Sequence, residues 1–111
     1  MTLASDGLAN RLRPILAKTP GIVEKKMFGG IGFMLRGNMA IGTTAKGDLL
    51  VRIDPEQQAA ALARDGAFQM MMGTREMKGF IAVGASGIAS LAELADWVAY
   101  ALTYTRTLPP K

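Results

Sequence analysis

The chain has 111 residues, 50% of them hydrophobic and 20% charged, a balance that supports one folded domain over 1–111 rather than a disordered segment. It contains no cysteine and no histidine, which excludes disulfides, thiolate zinc sites, cysteine nucleophiles and the histidine-dependent acid-base routes of most hydrolases. Thirteen Lys and Arg against nine Asp and Glu give a formal charge of +4 and a pI near 9.8, a bias toward nucleic acid or an acidic partner, with the basic residues spread from Arg11 to Lys111 and no run longer than Lys25-Lys26.

Every apolar run is broken well before the ~20 residues that span a bilayer, and residues 1–16 lack a signal-peptide apolar stretch. A cytoplasmic protein without a membrane segment is therefore expected. Ser5 or Asp6 is placed to cap a first helix with Leu8, Leu12, Ile15 and Leu16 on one stripe and Arg11 and Arg13 facing away. Pro14 predicts a kink or a break, and Thr19-Pro20-Gly21 ends the helix.

From 23 to 53 the period changes to two, with glycines at short intervals. Val23, Lys25 and Met27 alternate with Glu24, Lys26 and Phe28, and Gly29-Gly30 predicts a bend or bulge before Ile31, Phe33 and Leu35. Gly37-Asn38 suits a hairpin turn, Met39, Ile41 and Thr43 return, Ala45-Lys46-Gly47-Asp48 turns again, and Leu49, Val51 and Ile53 share a face. Such short connections imply antiparallel pairing.

Asp54-Pro55-Glu56-Gln57 reads as an N-cap, a proline at the first helical position and a glutamine closing a capping box. The helix continues to Arg64 and stops at Gly66, burying little besides Leu62 and small side chains. Residues 68–72 and 77–83 read as strands around Gly73-Thr74. Ser90 and Glu93 form a second capping box, opening a helix with Leu91, Leu94, Val98 and Leu102 on one side and Trp97, Tyr100 and Tyr104 on its flank. The predicted fold is an α+β two-layer sandwich, an antiparallel sheet of about five strands with helices packed on it, in the order α-β-β-β-α-β-β-α.

Few residues suggest chemistry. Gly29-Gly30-Ile31-Gly32 leads into strand-like residues, whereas a phosphate loop feeds a helix. Eight methionines, with Met70, Met71 and Met72 consecutive, could in principle offer thioethers to Cu(I), but neighbouring strand residues point to opposite faces, so they read as core or interface packing. Asp54 and Glu93 have capping roles, and the other carboxylates form no motif. No catalytic, metal or cofactor-binding residue is assigned.

The segment Lys25-Lys26-Met27-Phe28-Gly29-Gly30-Ile31-Gly32-Phe33-Met34, followed by Gly37-Asn38-Met39 and Asp48-Leu49-Leu50-Val51-Arg52, resembles the N-terminal domain of the TfoX/Sxy family. Arg75, Met77-Lys78-Gly79-Phe80, Trp97-Val98 and the closing Leu108-Pro109-Pro110-Lys111 continue the resemblance in order. It departs at Met71 and Glu76, where many short relatives have an acidic residue and a proline. The resemblance implies a two-layer sandwich and a non-enzymatic role in regulating natural competence, where two-domain members assist a cyclic-AMP-responsive activator at promoters. It supplies no catalytic residues.

The expected function is an interaction module of transcription-regulator type acting through protein contacts, with transcription machinery or an activator as partner and a homodimer as a further form. The candidate interaction surface comprises Lys25, Lys26, Arg52, Arg75, Lys78 and Phe80. The alternative is direct nucleic-acid binding on a basic sheet face, with Phe28 and Phe80 as stacking surfaces.

Overall fold

A computed structural model describes residues 3–27 and 29–111. Helix α1 spans Leu3–Leu16 and buries Leu8, Leu12 and Leu16, the stripe read from the sequence. It runs unbroken through Pro14. The carbonyl that Pro14 leaves without a donor belongs to Asn10, an exposed residue on which water can take the place of the missing N–H. Because the helix already includes Leu3, Ser5 is not its cap but lies fully buried within it.

The sheet has six strands: β1 (Ile22–Met27), β2 (Gly30–Leu35), β3 (Asn38–Thr43), β4 (Leu49–Arg52), β5 (Ala67–Met72) and β6 (Arg75–Val83). The additional strand arises at the glycine pair. Met27 pairs with Gly30, and Gly29 takes φ +77°, so the chain reverses there and β1 and β2 form a hairpin rather than one bent strand. The next turn falls on Arg36 and Gly37, both at positive φ, one residue earlier than the glycine-asparagine pair suggested. Asn38 instead opens β3 and donates its side-chain amide to the Pro109 carbonyl at 2.8 Å, fastening the C-terminal segment to the hairpin.

The strand order is β1-β2-β3-β4-β6-β5, antiparallel throughout. Between β4 and β5 the chain forms a short 3₁₀ turn, Pro55–Gln57, and then helix α2 (Gln58–Leu62). Asp54 accepts from the Glu56 N–H as expected, but Gln57 closes no box: its side-chain oxygen accepts from the Tyr100 hydroxyl at 3.1 Å. Helix α3 (Leu91–Thr105) begins with the predicted capping box, Ser90 accepting from Glu93 N–H and Glu93 from Ser90 N–H. Among the described residues no helix is long and apolar enough to cross a membrane.

One face of the sheet carries the core. Phe33, Ile41, Val51 and Ile81 stand in register across β2, β3, β4 and β6, none more than 1% exposed. Helix α1 packs over β2 and β3, and α3 over β3 and β4, closing this face with Leu94, Trp97, Val98 and Leu102. Leu91, expected on that stripe, is 68% exposed at the first turn, beyond the sheet's cover. Arg64, just past α2, lies 3.9 Å from the Trp97 ring centroid and 5.2 Å from that of Tyr100, tying the small helix to the large one.

Candidate docking face

Side chains alternate across a sheet, so each residue beside the core row points to the opposite face. That face carries Lys25, Gly32, Gly42, Leu50, Ala82 and Phe68 in one row across all six strands. Two glycines in succession leave a trough. A Cβ on Gly32 would lie 3.0 Å from the Met27 Sδ, and one on Gly42 would lie 2.6 Å from the Met39 methyl, so two thioether side chains already rest where the missing side chains would be. Methionine suits this task because its unbranched chain adapts to irregular gaps.

The trough opens into a concavity of about 280 Å³ lined by Met27, Met39, Leu50, Met70, Met71, Met77 and Phe80, with Thr43 and Thr44 at one end. Met70 and Met71 are consecutive, yet both line it. The register shifts between Gln69 and Met71, and this bulge breaks the strict alternation that argued against their convergence. A second irregularity, Gly79 at φ +82°, lies opposite in β6. Gln58 stabilises this corner from the helix side: its side-chain oxygen accepts the Gly79 N–H at 2.9 Å, and its amide nitrogen donates to Gln69 Oε1 at 3.0 Å and to the Met77 carbonyl at 3.3 Å.

The face is also exposed and apolar beyond the concavity. Val23 (62%), Phe68 (45%) and Met71 (44%) are all on it, and they are three of the four large hydrophobic side chains exposed among the described residues. Arg52 lies over the Phe80 ring, 5.4 Å from its centroid, and makes no hydrogen bond or ion pair with a described residue. Among the described residues no group of three or more acidic side chains is gathered to hold a metal ion. Met27 and Met39 use their thioether ends to fill the glycine gaps.

Of the surface residues read from the sequence, Lys25, Arg52 and Phe80 share this open face. Lys26 pairs with Ile31, whose buried side chain faces the core, and therefore stands on the helix side of the edge strand. Arg75 and Lys78 are exposed on β6 toward its hairpin with β5. Phe28 lies outside the described residues. Sequence reasoning missed the trough and the convergence of five methionines from four strands on one concavity. A signal was present: Ile31-Gly32-Phe33-Met34-Leu35 and Leu49-Leu50-Val51 are continuously apolar, as strands are when both faces meet apolar surroundings.

These features define a small α+β domain with one sheet face closed by helices and the other open and apolar. The profile of the TfoX N-terminal domain family matches residues 14–104 of the 111, and the chain belongs to that family. Comparison with curated proteins and with solved structures gives no match. The segment that carries the resemblance has a conformational explanation. Gly29 reverses the chain, Gly30 lets β2 and β3 approach to within a distance no Cβ permits, and Gly32 accommodates Met27.

Proposed function

We propose that this chain is a non-enzymatic, cytoplasmic interaction module of transcription-regulator type, related to competence regulation as its family suggests, and that it docks a protein partner on the open sheet face. The observation that carries this reading is the exposure of Phe68 and Met71 side by side on β5, next to the methionine-lined concavity, since single exposed apolar residues are ordinary but neighbouring ones beside an apolar hollow mark an interaction surface. The absence of cysteine and histidine from the sequence supports a role in binding rather than in acid-base or thiol chemistry. The test compares partner capture by the wild type with capture by a Phe68→Glu/Met71→Glu double variant, whose changes fall on partly exposed side chains and whose folding is checked by circular dichroism. Partners retained by the wild type and lost by the variant support the reading. Equal capture refutes it.

Direct nucleic-acid binding is the alternative, favoured by the Arg52 guanidinium over Phe80 with Lys25 on the same face. Titration into labelled DNA and RNA at several salt concentrations decides it, because each neutralised phosphate contributes roughly −0.7 to −0.9 to the slope of log affinity against log salt. A salt-dependent complex abolished by Lys25→Glu and Arg52→Glu would put this reading first.

A further inference from the structure

We propose that the occupant of the open face is an amphipathic α-helix of about four turns that brings a carboxylate to Arg52, an inference that rests on the docking reading above and names the partner's chemistry. Three observations support it. The first is shape. The open face runs across six strands, from Lys25 at its β1 edge over the glycine trough and Leu50 to Phe68 on β5, and at about 4.8 Å per strand the crossing is roughly 24 Å. At about 1.5 Å per residue, a helix covers that length in roughly 16 residues.

The second is surface type. A face, unlike an edge, offers no backbone N–H or C=O groups to an added strand, so an extended segment gains no ladder there, whereas a helix buries an apolar stripe on it as α1 and α3 do on the other side. The flexible side chains of Met27, Met39, Met70, Met71 and Met77 can repack around i, i+3, i+4 and i+7 anchors, and the glycine trough at Gly32 and Gly42 lets a helix approach closely when the methionines move aside.

The third is charge. Arg52 is half-buried at the rim of this face, with its guanidinium over Phe80 and no carboxylate partner among the described residues. A planar guanidinium in such a position is suited to bidentate pairing with an incoming carboxylate. Lys25 lies on the same face, and the chain as a whole carries +4, so an acidic segment is attracted at a distance as well.

The experiment is selection from a displayed library of random 16-residue peptides on the intact chain. The enriched peptides are then synthesised and measured against the wild type, Arg52→Met and Arg52→Glu, with circular dichroism of each variant as the folding control. The result expected is a helical i, i+3/i+4, i+7 apolar pattern with an Asp or Glu beside it, at least tenfold weaker binding to Arg52→Met, and recovery on Arg52→Glu when the peptide acid is replaced by Lys. Arg52→Met retains the apolar stem over Phe80, so the loss reports the charge. Peptides that are extended or lack an acidic residue, affinity indifferent to Arg52→Met, or no enrichment at all would overturn the proposal. Peptides of that kind that are nonetheless lost on Phe68→Glu/Met71→Glu would leave the docking reading standing while this one falls. A self-association split by the same double variant also overturns it, because the occupant is then a second copy of the chain.

Discussion

Gly30→Ala places a methyl 1.9 Å from the carbonyl oxygen of Thr43 and 2.7 Å from its carbon, where ordinary van der Waals contact begins at 3.4 Å. The neighbour is backbone, so no side-chain rotation relieves the overlap, and β2 must move away from β3 by more than 1 Å. That movement falls on a buried polar contact linking both strands to α1: Thr43 Oγ1 accepts the Ile31 N–H at 3.0 Å and lies 2.6 Å from the Ser5 hydroxyl. Overpacking of this kind costs about 1–3 kcal/mol, and loosening the two hydrogen bonds adds about 1 kcal/mol each, so the substitution should remove roughly 3–5 kcal/mol from a domain whose total is of order 5–15 kcal/mol. Urea unfolding followed by the fluorescence of Trp97, which is 2% exposed, measures the loss directly. Gly29 provides the contrast. Its requirement is mainly conformational, at φ +77°, with a Cβ there 3.2 Å from that of Ala45, so Gly29→Ala should cost about 1–2 kcal/mol and Gly29→Asn less, because asparagine tolerates the left-handed region. Gly30→Ala within about 0.5 kcal/mol of the wild type would refute the steric reasoning and the close approach on which it rests.

Thr43→Val, which keeps the shape but removes the acceptor of the buried Ile31 N–H, should cost about 1–3 kcal/mol in the same assay, and combining it with Ser5→Ala should cost less than the sum of the two. Gln58→Ala removes the acceptor of the Gly79 N–H and should lower stability by about 1–2 kcal/mol while speeding hydrogen exchange at Gly79, and unchanged exchange there would count against the bulge-supporting role. The Arg13 guanidinium, 2.9 Å from both oxygens of Glu24, holds that carboxyl below the ordinary glutamate range through its hydrogen bonds. Because the folded-state value is the depressed one, the stabilisation is present above the unfolded value and is lost as pH falls through the folded value; NMR titration should show Glu24 returning toward the ordinary range in Arg13→Gln. Phe68→Glu/Met71→Glu should cost about 1–3 kcal/mol, because rather more than half of each side chain is buried, yet keep the circular dichroism spectrum of the wild type, so that a loss of partner capture reports the face rather than the fold.

The elements legible in the sequence are those fixed by local chemistry. The capping box at Ser90 and Glu93, the Asp54-Pro55 helix start and the period-two alternation through Phe33, Ile41 and Val51 were each readable because the deciding contacts lie within a few residues or on one face. The errors share a different cause. Gly29 permits both a bulge and a reversal, and the outcome depends on pairing between Met27 and Gly30 that the local pattern does not specify. Ser5 looks like a cap until its hydroxyl is seen to share a buried hydrogen bond with that of Thr43, distant in sequence. Of the candidate surface, Lys25, Arg52 and Phe80 were brought together and Lys26 was not, since adjacent strand residues face opposite ways; Met70 and Met71 escape that same rule only through a bulge that no residue type announces.

The division of labour between the two faces follows from what each residue type would cost to change. On the helix-covered face, Ile41, Val51 and Ile81 are apolar because the fold requires it, and a polar substitution there would bury an unsatisfied group. Val23, Phe68 and Met71 are under a weaker requirement: they are between 44% and 62% exposed, and a polar residue at those positions would bury no unsatisfied group and would give the isolated domain a better-solvated surface. Their apolar character is therefore not dictated by the core beneath them, and this is the ground on which the docking proposal stands. The same logic applies to Arg52, whose guanidinium is half-buried over Phe80 with no described partner. The glycine-rich signature and the proposed docking residues are largely separate sets, so substitutions in Gly29 or Gly30 should act on stability, whereas those in Phe68, Met71 or Arg52 should lower binding in a chain that still folds.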